Sequence, residues 1–309
     1  MYRYIINRLV GMLLTLLLVS AVVFVIINLT PGDPVAAMLG PNGSQQQIVE
    51  IRHLLGLDQP VWQRYFSWLW RVSHGDFGVS LRSQEPVLTT LLQRLPATVE
   101  LMLGAMVVGL LFGIPIGVIS AMKRNSLIDA ISRIVALAGI SMPGFWFALI
   151  LILVFAYYFP ILPPSGTGGP KHLVLPAITL GLSLAGIIMR LTRSSLLEIL
   201  GQDYIRTARA KGLAEMIVLS RHALRNALLP LVTIVGLETG ALLGGTVTIE
   251  TVFAWPGLGF FTYQAMLGRD YPIIMGSLLL FATMFLIVNL LTDFAYGIAD
   301  PRISYSKGT

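Results

Sequence analysis

Long apolar runs separated by polar stretches dominate the chain. An α-helix needs roughly 17–25 mostly apolar residues to cross the hydrocarbon core of a bilayer. Six runs of about this length cover Leu9–Leu29, Thr98–Met122, Ile134–Phe159, Leu173–Leu191, Leu228–Ile249 and Ile273–Ile298. The pattern therefore predicts an all-α polytopic membrane protein with six transmembrane helices.

The composition agrees with this prediction and excludes other classes of protein. Of the 309 residues, 55% are hydrophobic and only 12% are charged, and the mean hydropathy of +0.79 lies far above that of a soluble domain. The net charge of +6 does not indicate a nucleic-acid partner, because the basic residues are interleaved with apolar runs and form no patch with aromatic residues. The chain has no cysteine, which excludes disulfides and thiolate metal sites.

Basic residues are distributed unequally between the two sides that the six runs define. One side collects Arg3, Arg8, Lys123, Arg124, Arg133, the arginines from Arg190 to Arg225, Arg302 and Lys307. The two short loops on the other side hold only Lys171 and Arg269. Because basic loops remain in the cytoplasm, both termini are predicted to be cytoplasmic. The first run is long for a signal peptide and no Ala-x-Ala site follows it, so a retained anchor is expected.

A polar and basic stretch, Asp203–Pro230, lies between the fourth and fifth runs. Asp203 suits the start of a short helix, where the helix dipole favours negative charge, and Gly212 can end that helix in a left-handed conformation. The small residues Thr207, Ala208 and Ala210 make the helix slim enough to enter a groove on another protein. A second helix is predicted over Ala214–Leu224.

This stretch resembles the EAA loop of ABC importer permeases. The forms DYIRTARAKGL and RHALRNALLP are similar to the branch that serves dipeptides, oligopeptides, nickel and glutathione. The resemblance extends to PGDP at residues 31–34, GDFG at residues 75–78, and the Trp-Pro-Gly and Arg-Asp-Tyr-Pro motifs near residues 255 and 269, as in B-type subunits. Where the general pattern has Glu-Ala-Ala, this chain has Arg206, Thr207 and Ala208.

The resemblance implies a type I ABC importer permease fold and a set of partners. These are a C-type permease subunit as heterodimer, two cytoplasmic ABC ATPases, an extracytoplasmic solute-binding protein and membrane lipid. ATP and Mg²⁺ would be bound by the ATPases, so no cofactor is expected on this chain and the chain is not expected to be an enzyme. The implied location is the bacterial or archaeal cell (inner) membrane.

The resemblance also assigns roles to residues. The ATPase-coupling loop would comprise Asp203, Tyr204, Arg206, Thr207, Ala208, Arg209, Ala210, Lys211 and Gly212. An outer gate or docking face for the binding protein would comprise Trp255, Pro256, Gly257, Arg269 and Asp270, although interfacial anchoring is an alternative for the aromatic residues of this region.

Four parts are expected along the chain. Residues 1–30 form the cytoplasmic tip and the first transmembrane helix, and residues 31–95 form an extracytoplasmic segment. Residues 96–298 form the permease core with the coupling loop at about 192–227, and residues 299–309 form a cytoplasmic tail.

The extracytoplasmic segment is predicted to contain helices of its own. Ser44 and Gln47 form a capping box for one helix that Gly56 can end. Asp58 and Pro60 start another, in which Trp62, Tyr65, Phe66, Leu69 and Trp70 follow helical spacing. This aromatic face fits the core of a small subdomain, the bilayer interface, or docking of the solute-binding protein.

Glycines and prolines predict how two of the spans pack and bend. Gly109, Gly113 and Gly117 form a small-residue stripe suited to close helix packing, and Pro115 favours a kink beside it. The third run is predicted to bend near Pro143. The glycine-rich residues 165–169 resemble a phosphate loop in composition, but no strand precedes them, so a turn is expected.

Glu238 is an ionisable residue near the middle of the fifth run. Such a carboxylate should face the protein interior or a watery cavity, where it could contact a cationic group of a substrate. A protonated glutamate bonded to a neighbouring helix is an equal alternative. Asp293 lies nearer the end of the last run, where a structural or gating hydrogen bond is expected.

The absence of several sequence motifs excludes further functions. No Gly-Lys pair occurs, so the chain cannot bind ATP by a P-loop, and the histidines form no His-Glu-x-x-His motif. An intramembrane enzyme is therefore disfavoured. An ion-driven secondary transporter remains the alternative of another class, but it would need internal repeats and more membrane carboxylates than Glu238.

Overall fold

A computed structural model describes residues 2–29, 46, 52, 58–227 and 229–299. Several features of the sequence lie outside the described residues: the PGDP motif at residues 31–34, the Ser44 and Gln47 capping box, the Gly56 helix end and, from residue 300, the cytoplasmic tail. The predicted fifth run begins at Leu228, which is also outside them, and the helix there is described from Leu229.

The described residues are nearly all helical. The α-helices are α1 Tyr2–Leu29, α2 Val61–Ser73, α3 Val87–Met122, α4 Leu127–Ser141, α5 Gly144–Ile152, α6 Pro170–Leu200, α7 Asp203–Ala210, α8 Glu215–Ile217, α9 Arg225–Ala227, α10 Leu229–Val252, α11 Leu258–Leu267 and α12 Tyr271–Ala299. Stretches of π-helix follow α5 at Leu153–Tyr158 and α8 at Val218–Leu224. In this part of the chain, extended pairing is confined to an isolated bridge between Val79 and Pro86.

Five of the described helices are long and apolar enough to cross a membrane, and a bent pair brings the number to as many as six. The pair is α4 with α5 and its π-helical extension, which meet at 104°. The predicted bend near Pro143 is therefore present, as a sharp break between two helices. Pro143 has no N–H to donate and holds Met142 in an extended conformation at φ −76° and ψ 130°, so the helix ends and restarts.

Two spans are longer than the apolar runs predicted. Helix α3 begins at Val87 rather than Thr98 and continues through Pro115. Helix α6 extends past Leu191 to Leu200. At 1.5 Å per residue these helices measure about 54 Å and about 46 Å, so each is longer than a hydrocarbon core of about 30 Å.

The chain separates into two compact units, residues 1–98 with 256–286 and residues 99–255 with 287–309. In the first unit, a buried cluster joins the start of α3 to α11 and α12 through Val87, Leu91, Leu258, Ala265, Ile273 and Ile274. Thr98 accepts the backbone N–H of Leu258 at 2.8 Å and so ties the start of α11 to α3.

Helix α2 belongs to the same unit and packs against α1 through Tyr65 and Trp68. Of the three interpretations left open for its aromatic face, core packing among the described residues does not hold for Trp62, Phe66 and Trp70, which are exposed. The buried aromatic residue is Trp68, because it points toward Phe24 of α1.

In the second unit, α6 is the central helix and packs against α4, α5 and α10. The predicted glycine stripe of α3 is confirmed as a packing surface for α6. A Cβ on Gly113 would lie 2.8 Å from the carbonyl oxygen of Ala185, and one on Gly117 would lie 2.7 Å from that of Met189. The predicted turn at residues 165–169 is also present, and Gly166 donates its N–H to Phe253 O at 2.8 Å.

Candidate functional site

Helix α7 starts at Asp203 and ends at a left-handed Gly212, as the sequence predicts, and the structure shows that this end is a Schellman motif. Gly212 has a left-handed backbone at φ +74°. Its N–H donates to Arg209 O at 2.9 Å, and the N–H of Leu213 donates to Ala208 O at 3.4 Å. Both bonds satisfy carbonyl groups that the end of the helix would otherwise leave without partners.

One side of α7 is packed into the protein. Ile205 and Ala208 belong to a buried cluster whose other members come from α3, α6, the π-helix and α9: Ala121, Leu196, Val218, Leu219, Ala223 and Ala227. Ala208 is only 7% exposed, so its side chain faces its own chain. This cluster packs α7 against the ends of the two long helices α3 and α6.

The opposite side of α7 is exposed and polar. It presents the predicted loop residues other than Ala208, namely Asp203, Tyr204, Arg206, Thr207, Arg209, Ala210, Lys211 and Gly212. A face of this kind, with small side chains between charged ones, is available for contact with another protein.

A bidentate ion pair between Arg209 of α7 and Glu215, the first residue of α8, connects the two ends of the turn that follows α7. The Nε of Arg209 lies 3.0 Å from Glu215 Oε2 and the Nη2 lies 2.6 Å from Oε1. The hydrogen bond from Arg209 lowers the pKa of the Glu215 carboxyl, and Glu215 in turn raises the pKa of Arg209. The pair is therefore ionised at neutral pH and is lost only as the pH falls through the lowered carboxyl pKa. Both side chains are largely exposed, so the pair orients the turn more than it stabilises the fold.

A second ion pair, which sequence reasoning missed, holds the helices that carry the loop. Asp129 at the start of α4 is fully buried and accepts bonds from Arg193 Nε at 2.7 Å and Nη2 at 2.8 Å. Ser120 of α3 donates to the same carboxylate at 2.6 Å, and so does the N–H of Asn125 at 3.0 Å. The carboxylate thus joins α3, α4 and α6 at one point.

The sequence contains a local signal for part of this site. Ser126 is three residues before Asp129, the spacing of a helix N-cap, and its Oγ accepts the Asp129 N–H. Arg193, however, is 64 residues away along the chain. No local pattern could identify it as the partner.

Glu238 lies on α10 at the border between a buried and an exposed face, and its side chain is half buried. Thr239 beside it is buried and contacts Met106 of α3. The exposed side of α10 next to Glu238 is lined mainly by small residues, Ala241, Gly244, Gly245 and Thr248. Asp293, a carboxylate in the last membrane span, is half buried on α12.

The predicted outer residues have different environments. Asp270 is buried and accepts the Ser80 hydroxyl at 2.6 Å and the Leu81 N–H at 3.2 Å. Arg269 is exposed, with a left-handed backbone at φ +53°. Trp255 is buried in the second unit, and Gly257 is buried in the first. Asp270 and Trp255 are therefore packed inside the protein. A role for these residues in docking of the binding protein or in gating stays a prediction.

Comparison with known families identifies the chain. Residues 113–305 match the family described as "Binding-protein-dependent transport system inner membrane component", and residues 1–102 match the N-terminal family of such membrane components. The chain belongs to this family. It is accordingly a permease subunit of an ATP-binding-cassette importer and not an enzyme.

Two relatives of this permease match it along nearly its whole length. The dipeptide transport system permease protein DppB of Escherichia coli (strain K12) is 42% identical, covering 99% of this chain and 100% of the relative. The glutathione transport system permease protein GsiC of the same strain is 41% identical over the same shares of the two chains.

Solved structures support the predicted fold. A chain of the MetNI methionine ABC transporter in an inward-facing conformation has a TM-score of 0.58 and 21% sequence identity, covering 69% of this permease and 97% of that chain. At this identity the likeness shows the fold alone. It confirms the prediction of an ABC importer permease fold.

Proposed function

We propose that this permease forms half of the translocation pathway of an ATP-driven importer of short peptides, with dipeptides as its main cargo. The observation that carries the proposal is the 42% identity with a dipeptide permease along nearly the whole of both chains. Glutathione is the second candidate, because GsiC is similar to nearly the same degree.

The proposed assembly pairs this chain with a C-type permease subunit, two ATPases that bind ATP and Mg²⁺, and an extracytoplasmic binding protein. Both termini and the loop that contains α7 lie on the cytoplasmic side, which the distribution of basic residues supports. The exposed side of α7, from Asp203 to Gly212, contacts one ATPase.

Coupling follows from the way α7 is attached. Closure of the ATPases on ATP would displace α7, and the buried cluster around Ile205 and Ala208 would pass that displacement to α3 and α6. The buried pair of Asp129 and Arg193 keeps α3, α4 and α6 together during the movement. The helices would then change their tilt as a rigid group between two arrangements that the ATPases bind differently.

Glu238 is the proposed contact for the cationic amino terminus of a peptide. Its half-buried position at the edge of the small-residue face of α10 supports this role, because small side chains leave room for a cavity between this chain and its partner permease. A carboxylate there would supply a negative charge at membrane depth.

Uptake by the complete transporter in proteoliposomes tests the proposed function. With ATP on the ATPase side and the binding protein outside, a labelled dipeptide should accumulate, and it should continue to do so when a protonophore is present. Unlabelled dipeptide should compete more strongly than glutathione. Preferred uptake of glutathione would reverse the order of the two candidates, and uptake that needs a proton gradient instead of ATP would contradict the proposal.

A further inference from the structure

Helix α2 contacts α1 at an unexpected depth. The hydroxyl of Tyr65 lies 2.9 Å from Ser20 Oγ and 3.3 Å from Leu17 O. The ring of Phe24 packs against Tyr65 at 5.4 Å and against Trp68 at 6.0 Å, measured between centroids. These contacts fix α2 alongside the middle and the second half of α1, rather than beyond its end.

That part of α1 lies within the hydrocarbon core. The apolar span of α1 runs over Ile6–Leu29 and begins beside Arg8. At 1.5 Å per residue, Ser20 is about 18 Å from Arg8 and about 13 Å from Leu29, whereas the core is about 30 Å thick. Ser20 is therefore inside the core whichever end of the span is placed at a bilayer surface.

The surface of α2 that faces away from α1 is amphipathic. Trp62, Phe66 and Trp70 recur every fourth residue and are 62%, 62% and 69% exposed. With successive residues about 100° apart, these three occupy an arc of about 80°. The neighbouring arc carries the exposed polar residues Gln63, Ser67 and Arg71.

Ser20 is only the deepest contact, reached by the Tyr65 side chain, whereas Phe24, against which both Tyr65 and Trp68 pack, is about 8 Å from Leu29 at 1.5 Å per residue. This lies within the roughly 5–10 Å to which the apolar face of an interfacial helix is buried, so α2, with one aromatic and one polar exposed stripe, meets both phases of the interface. Tryptophan and other amphipathic rings favour the level of the headgroups, and polar or basic side chains beside them can reach water or phosphate. A water-facing helix would instead leave three large aromatic side chains solvated, at a cost of about 1.5–3 kcal/mol each relative to burial.

We propose that α2 is an interfacial helix that inserts the stripe of Trp62, Phe66 and Trp70 into lipid, in the leaflet at the Leu29 end of α1. The segment between the first two spans is thus in part a membrane-embedded element, and the occupant of its aromatic face is lipid rather than the binding protein. This inference depends on α1 spanning the membrane and is independent of which solute is carried.

Spin labelling of single cysteines tests the proposal without interference, since the chain has no cysteine. The complete transporter carrying Phe66→Cys, or Trp70→Cys, is labelled and reconstituted into vesicles of phosphatidylethanolamine and phosphatidylglycerol. Ser67→Cys, on the polar stripe of the same helix, is the matched control. Collisions with oxygen, which concentrates in lipid, are compared with collisions with a water-soluble nickel chelate.

Labels at Phe66 and Trp70 should collide several-fold more with oxygen than with the nickel chelate, and the label at Ser67 should show the reverse. Equal access of the chelate to all three positions would overturn the proposal, because the stripe would then face water and remain free for a protein. An immobilised label shielded from both agents at Phe66 would also overturn it, because another protein chain would then cover the stripe.

A second measurement needs no labelled cysteine. Brominated lipid should quench part of the tryptophan fluorescence of the native transporter, and the Trp62→Phe, Trp70→Phe double variant should lose that quenchable part. Unchanged quenching in the double variant, together with normal assembly, would contradict lipid contact at these residues.

Discussion

At the scale of single residues, the buried carboxylate of Asp129 is held by four hydrogen bonds. It accepts a bidentate bond from Arg193 together with bonds from Ser120 and Asn125. Arg133 also lies 3.7 Å away, but its side chain is 57% exposed. Removing one member of a buried, hydrogen-bonded ion pair leaves an uncompensated charge, whereas an exposed pair contributes little.

Asp129→Asn should therefore destabilise the permease strongly. The expected loss is about 1.5–3 kcal/mol, because Arg193, whose side chain is only 19% exposed, would lose its charged hydrogen-bond partner. Arg133→Ala is the control on the same carboxylate, with an expected change of at most about 1 kcal/mol. Thermal unfolding of the detergent-purified transporter, monitored as loss of the assembled complex, checks both values. Equal unfolding midpoints for the two variants would contradict a larger contribution of the Asp129–Arg193 pair to stability.

At the scale of helices, close contact between α3 and α6 depends on glycine. Positions 109, 113 and 117 of α3 face α6 so closely that a Cβ on any of them would lie under 3.0 Å from an atom of that helix. Gly11 in α1 is also a glycine in a membrane helix, but a Cβ there would meet no atom within 4 Å. Helix packing, rather than flexibility, accounts for the glycine stripe of α3.

Gly113→Ala should force α3 and α6 apart, since the new Cβ would meet the Ala185 carbonyl at 2.8 Å and backbone cannot give way easily. The expected destabilisation is about 1–3 kcal/mol. Gly11→Ala should be neutral or slightly stabilising, because alanine favours the helix by up to about 1 kcal/mol and meets no neighbour. The same thermal assay compares the two variants, and a Gly113→Ala transporter as stable as the Gly11→Ala one would show that the helices are not in this contact.

At the scale of the whole molecule, α7 is the exposed end of a continuous path of packed helices. Its buried side joins α3 and α6, and its other side is free for a partner. The structure also gives two neighbouring positions with opposite environments, because Thr207 is exposed while Ala208 is 7% exposed.

A crosslinker attached to Thr207→Cys in native membranes should capture a P-loop ATPase, identified by mass spectrometry. Ala208→Cys is the matched control one residue away, and it should react slowly and capture little, because its thiol would lie within the buried cluster. Efficient labelling at Thr207 without capture of an ATPase would contradict the proposed docking face.

Features that depend on neighbours along the chain could be predicted from sequence. Gly212 ends α7 because glycine, which has no Cβ, adopts φ +74° at no steric cost, and Pro143 breaks the third span because proline lacks an N–H. The membrane class and the six runs follow from apolar length, since the hydrocarbon core sets a minimum length for a helix. The loop that we propose contacts the ATPase is recognisable only through its resemblance to a known family.

Only the tertiary structure decided which side of each helix is covered. It showed that Ala208 is buried although it lies in a polar loop, that Trp68 rather than Trp62 or Phe66 is the buried aromatic residue of α2, and that Asp129 has Arg193 as its partner. Each of these facts depends on a contact between residues distant in sequence. The periodicity of apolar residues shows that a helix has two faces. The residues that cover one of those faces come from a distant part of the chain, and local sequence patterns do not identify them.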